Sequence, residues 1–247
     1  MIRLGRRAAT RPPPEPRTLA LDEPPLTVTL RRSRAARRFT LSVSRLDGTA
    51  RLTLPAAAPL AEAEAFLVRQ AGWLAEAVAR APASERVRPG AILPFRGDPV
   101  TLTLAAGPAR RPPRIENDRL LVHGPAEAAP ARALAFLKAA ARDALAPAAR
   151  RHAALLGRSP GRIALRDTRS RWGSCTASGD LNFCWRLVMA PPDVLDYVAL
   201  HEAAHLVEMN HGPRFWALVE RLDPGWRAKR DWLRREGPGL HRWRFDA

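Results

Sequence analysis

Three histidines and two glutamates fall within HEAAHLVEMNH, residues 201–211, inside an otherwise apolar stretch. Burying a carboxylate and imidazoles without partners costs several kcal/mol, so the segment calls for a hydrogen-bond network or a metal ion. The spacing favours the metal. His201 and His205 stand at i and i+4, which on a helix puts both rings on one face, able to converge on a single ion. Glu202, beside the first of them, is positioned to act as general base toward a water on that ion. Glu208 lies seven residues beyond His201, about 10 Å along a straight helix, too far to share the ion. His211 can share it if the helix stops first. Asn210 tolerates the left-handed conformation that ends helices, and Gly212 and Pro213 then redirect the chain. Three neutral imidazoles and one open position describe a catalytic site for one zinc ion per chain, whereas a structural site closes with a fourth protein ligand. The expected chemistry is hydrolysis by a metal-activated water, with Glu202 taking up a proton and returning it to the leaving group.

These residues need a frame. Val194 to Met209 is apolar nearly all round, with Asp196, Glu202 and Glu208 as its acids, and reads as an interior helix that Asp193 helps to start after Pro191 and Pro192 end the preceding strand. After Pro213, the residues Phe215, Leu218, Val219 and Leu222 follow the pattern of a second helix. Upstream, RIALRD reads as a strand and SRWGSCTASGDLNFCWRLVMAP as a hairpin turning at Ser178, Gly179 and Asp180. Its second arm, residues 181–189, alternates a packing face with a wet one and is the expected edge for aligning an extended peptide. Candidate substrate-binding residues are Gly173, which permits close backbone approach or simply makes a turn, with Asn182, Arg186 and Tyr197. Tyr197, Arg186 and Arg214 are also candidate donors to an oxyanion, and Asp196 is a helix-start or supporting acid. His123 and His152, without spaced partners, read as surface or packing residues, His241 as a tail residue, and Trp216, Trp226 and Trp232 as packing residues.

Further upstream, residues 26–55 alternate in three short runs with an Asp47-Gly48 turn, which predicts a small antiparallel sheet. One helix is expected over 60–81, strands at PVTLTLA and RLLVHG, and an alanine-rich helix over 128–156. The class is α+β without sequence repeats. The expected organisation is a basic, proline-rich tail over 1–25, a β-rich module with one helix over 26–125, and a catalytic domain over 126–240, the last two forming one compact unit.

The formal charge is +17, and of 41 basic residues only Lys138 and Lys229 are lysines. Such a balance suits a nucleic-acid surface, but the excess of arginine, alanine and proline fits a compositional bias better. No apolar run is long enough to cross a bilayer, and the N-terminus lacks the apolar core of a secretory signal, so no membrane partner and a cytoplasmic location are expected. Cys175 and Cys184 suit a reducing compartment and are candidates to face each other across the hairpin.

SRWGSC, LNFCWRLVMAP, DYVALHEAAH and NHGPRFW, in this order and at these separations, resemble the YgjP-like zinc metallopeptidases, with SprT-like proteases more distantly similar. The resemblance is dense over 165–236. It implies a zincin-like domain, an active-site helix packed on a small mixed or antiparallel sheet, that hydrolyses a protein or peptide substrate. It also implies His201, His205 and His211 as zinc ligands and Glu202 as catalytic acid/base. Metzincins share the ligand spacing, but Glu208 stands where they have glycine and no methionine follows His211, so membership there is rejected. Two alternatives stand beside peptide hydrolysis: a zinc hydrolase of a non-peptide bond such as a nucleotide phosphoanhydride, and a nucleic-acid-associated protein, whether a protease or a binding module whose metal is structural.

Overall fold

The computed structural model describes residues 18–21, 25–44, 46, 48–80 and 84–245, which fall into two compact units, Met1–Ala81 and Pro82–Ala247. Most of the expected tail, and Asp47 of the expected turn, lie outside the described residues. Within that tail, however, Thr18–Leu21 is strand β1, paired antiparallel with β2, Leu26–Ser33. Strands β3, Thr40–Val43, and β4, Ala50–Pro55, complete a sheet of order β1-β2-β4-β3. This sheet is mixed, not antiparallel as expected. β3 and β4 make a hairpin, and β2 joins the far side of β4 in the parallel sense. The expected single helix is two, α1 over Leu60–Arg69 and α2 over Ala71–Ala79, separated at Gln70, whose ψ of 5° departs from helical geometry. Val28, Leu52, Leu54, Leu67 and Leu74 form a core belonging to this unit.

The second unit begins with β5, Glu85–Arg86, followed by β6, Ile92–Phe95, β7, Asp98–Ala105, β8, Arg114–Glu116, and β9, Arg119–His123. The sheet β6-β7-β9-β8 repeats the order and the senses of the first: antiparallel outer pairs around a parallel central pair. Its inward residues Leu93, Val100, Leu102, Leu120 and Val122 share one core with the helices that follow. The division at 81/82 therefore sets this sheet with the C-terminal elements, rather than with the N-terminal module to which residues up to 125 were expected to belong. Helix α3, Ala129–Leu155, is the alanine-rich helix.

Strands β10, Ile163–Arg166, β11, Gly173–Cys175, and β12, Leu181–Cys184, form a three-stranded sheet of order β10-β12-β11. The hairpin turn at 178–180 is present, with Gly179 at φ 82°. Its second arm is much shorter than expected. After Cys184 the chain becomes a 3-10 segment, Trp185–Met189, with every residue buried, because Arg186 is drawn inward by Asp167 and by the carbonyls of Leu240 and Trp243. No wet face exists there, and β12 is the central strand of its sheet, whose edge strands are β10 and β11. The two cysteines do not face each other either, since Cys175 stands opposite Leu181 and Cys184 opposite Arg166.

Helix α4, Pro192–Ala204, packs along α3 and is nearly all buried. It stops five residues before the expected Met209. Leu206 and Val207 donate backbone bonds three residues back, to Ala203 and Ala204, the tightening that closes helix ends. Val207 and Met209 consequently reach the surface, and Asn210 keeps a negative φ, so it is not the left-handed terminator. Helices α5, Pro213–Leu222, α6, Trp226–Arg235, and α7, Gly237–Leu240, follow, and β13, Trp243–Arg244, pairs in parallel with β5. No helix among the described residues is long and apolar enough to cross a membrane.

Candidate active site

The last turn of α4 presents His201 and Glu202, the turn after it His205, and the loop into α5 His211. One potential ligand atom from each histidine lies within 4.8 Å of the others. Tetrahedral coordination at about 2.0–2.1 Å brings ligand nitrogens to about 3.3 Å, so ring shifts of about 1.5 Å or less bring all three onto one ion. His201 Nε2 and His211 Nε2 are already 3.0 Å apart. Nitrogens this close share either one proton or one cation.

The rings are held from behind. Phe215, fully buried, stacks on His205 at 4.5 Å and meets His201 and His211 edge-on at 4.9 and 4.8 Å. The Trp216 indole donates to the His211 carbonyl at 3.1 Å and so fixes the loop. His205 Nδ1 lies 3.0 Å from the Glu208 carbonyl, which can only accept. Nδ1 therefore carries the proton, and Nε2 presents its lone pair to the other rings. Glu208 thus serves the site through its backbone; its carboxylate approaches Arg214 at 4.0 Å and lies outside the histidine group.

Burial sets the electrostatics. It pushes His201 down to about 3, with His205 and His211 adding to the effect, and it lowers His205 against the opposing bond to Glu208. Both rings are neutral at physiological pH, the form a cation needs. Glu202, 5% exposed and without a hydrogen bond or ion pair among the described residues, is pushed up to about 8 by burial, which the charge of Arg171 only partly offsets. The donor set and its protonation therefore fit a metal ion. Next to Glu202 lies Gly173 of β11. A Cβ there would stand 2.5 Å from the Glu202 carboxyl, so the close approach at Gly173 is to Glu202 itself.

The remaining expected residues divide. Tyr197 lines the cavity beside the histidines, edge-on to His201 at 5.9 Å, and burial holds its phenol protonated, at about 12. Asn182 is on the central strand and Arg186 is bound to Asp167, neither lining the cavity. Arg214 is a solvent-exposed side chain beside Glu208. Asp196 binds Arg151 and His152 and is likewise absent from the cavity wall, while His241, expected in a tail, is buried with its ring 5.2 Å from that of Trp172. The cavity, about 380 Å³, is completed by residues not singled out from the sequence: Arg171, Trp172, Val198, Arg230, Leu233 and Arg234, together with Trp216. A signal for some of them existed. Trp226, Arg230, Leu233 and Arg234 recur at i, i+4, i+7 and i+8, one face of α6.

No curated protein and no solved structure matches the chain. The YgjP-like family model, described as a metallopeptidase domain, matches residues 37–236, which take in β3, the second sheet, the histidine helix and α6. A match over most of the chain, with the histidine group inside it, places this protein in the YgjP-like metallopeptidase family.

Proposed function

We propose that the chain is a zinc-dependent peptidase in which His201, His205 and His211 hold one ion and Glu202 is general base and then general acid. The observation that carries this reading is the convergence of three imidazoles beside an unpartnered, buried carboxylate at the wall of an open cavity. When bound there, zinc supplies polarisation of a carbonyl and acidification of a water. Its positive charge also favours the ionised form of the carboxyl that burial alone keeps protonated. Glu202 takes a proton from the attacking water and returns it to the leaving amine. The outer edge of β11, the edge strand whose Gly173 lies against Glu202, pairs with an extended substrate and so brings it beside that carboxyl. Tyr197, a protonated phenol in the same cavity, is the donor available to a developing oxyanion.

The test combines metal analysis of the purified chain with cleavage of unstructured peptides by wild type and Glu202→Gln. One zinc per chain is expected in both, with cleavage about 10²- to 10⁴-fold slower in the variant and nucleoside triphosphates untouched by either. Full cleavage by a zinc-loaded Glu202→Gln would remove Glu202 from the mechanism.

A further inference from the structure

The cavity in front of Glu202 carries positive charge that the hydrolytic step does not use. Arg171, Arg230 and Arg234 line it, and Glu202 is the sole carboxylate among its lining residues. Several arginines of this unit that lie against the core or the surface hold acids: Arg186 holds Asp167, Arg151 holds Asp196 and Arg227 holds Glu220. Arg230 does not. Its guanidinium lies over the Trp226 ring at 4.7 Å and the Trp216 ring at 5.7 Å, two indoles that are themselves stacked at 4.3 Å. It has no ion pair among the described residues, and its Nε is buried without a hydrogen-bond partner. A guanidinium fixed by stacking, with donors unfilled, is preorganised for a two-pronged bond to a carboxylate. Arg171 likewise has no ion pair among the described residues, its charge reaching Glu202 only at longer range, and Arg234 has only a 4.0 Å approach to Asp231.

We infer that this cavity is a subsite for a substrate carboxylate, either an acidic side chain or a peptide C-terminus, with Arg230 as its specificity-determining residue. The inference rests on the peptidase reading and names its substrate class. Trp172, Trp216 and Leu233 provide apolar walls for the aliphatic stem, while Arg171 and Arg234 add field at the mouth. Trp172 is a rigid wall: its indole packs against Gly237, where a Cβ would meet it at 2.8 Å, and against His241.

The test uses the zinc-loaded full chain and two pairs of peptides. One pair is blocked at both ends and differs by Glu against Gln beside the cleaved bond; the other is neutral and ends in a free or an amidated C-terminus. Wild type is expected to favour the carboxylate-bearing member of one pair by roughly 10- to 100-fold in kcat/KM, and the responding pair identifies the source. Arg230→Gln is expected to bring that ratio within about threefold of unity, and Arg230→Lys, which keeps charge but loses the fork, to leave an intermediate ratio. Because Arg230 also covers the tryptophan stack, Arg171→Gln, at an exposed position, is the second variant and is expected to lower the ratio in the same direction. Equal turnover within both pairs by wild type, or a ratio that none of these variants lowers, overturns the subsite. So does a phosphoserine peptide cleaved in preference to its glutamate counterpart. If no peptide is cleaved at all, the peptidase reading fails separately. The subsite is then judged by tryptophan fluorescence titration with the same peptides: weaker binding of the carboxylate member by Arg230→Gln retains it, and equal binding refutes it.

Discussion

Asp196 and Glu202 are acids on one helix, α4, and their surroundings drive them in opposite directions. Burial works to raise Asp196, but the hydrogen bond and charge of His152, with the charge of Arg151, outweigh it, and the carboxyl is held below the ordinary range. Glu202 has burial without such partners and goes up to about 8. The histidines differ in parallel, His152 bonding Asp196 at 2.9 Å while His201, His205 and His211 turn toward one another. A buried polar group that is satisfied contributes to holding the fold. One left unsatisfied costs stability, and a protein keeps it where chemistry needs the free lone pair.

The contrast is broken most severely at a ligand. His201→Ala is expected to abolish zinc binding, measured by elemental analysis after dialysis, whereas His152→Ala retains one ion per chain. Next comes Gly173→Ala, whose methyl group displaces the Glu202 carboxyl. Cleavage should fall roughly 10- to 100-fold with zinc content unchanged, because misplacement of a catalytic group by about an ångström has that effect. The third prediction concerns stability of the zinc-free protein. Glu202 has a folded pKa raised from 4.5 to about 8, so the folded state binds the extra proton and stability falls as pH rises through that window. Glu202→Gln removes this component, and chemical denaturation near pH 8 should find the variant more stable by about 1–3 kcal/mol. Asp196→Asn is expected to act with the opposite sign and least strongly. The folded pKa of Asp196 is lowered, so its contribution is present above the ordinary carboxylate range and lost as pH falls through the folded value. The pair is partly exposed, so the substitution costs about 1 kcal/mol near neutrality, flattens the acid limb of the stability profile and leaves cleavage within about twofold. Equal and like-signed stability changes in the two carboxyl variants would dissolve the distinction.

The histidine group was legible because its members are close in sequence, and i, i+4 spacing on a helix fixes geometry without knowledge of the rest. The end of that helix was not. An all-apolar run has no period to lose, so Val207 and Met209 looked like more helix although both are at the surface. Strand order was equally hidden: β12 reads as one arm of a hairpin, and only the arrival of β10 from the other side makes it central. The two four-stranded sheets share order and senses without a recognisable repeat in sequence, since alternation constrains residue class and leaves identity free. Arg230 was obscured by abundance, as one arginine among many differs only in the face it occupies.

The pairing of β13 with β5 has a consequence for the order of events during synthesis. Residues 85–86 are made early and wait for 243–244, which follow the whole histidine segment. The carbonyls of Leu240 and Trp243 that receive Arg186, and the His241 ring against Trp172, arrive only then. Trp172, one wall of the cavity, thus gains its backing from residues that are made after the histidine segment. The cavity beside the three histidines is therefore walled in only after the last of them has been synthesised.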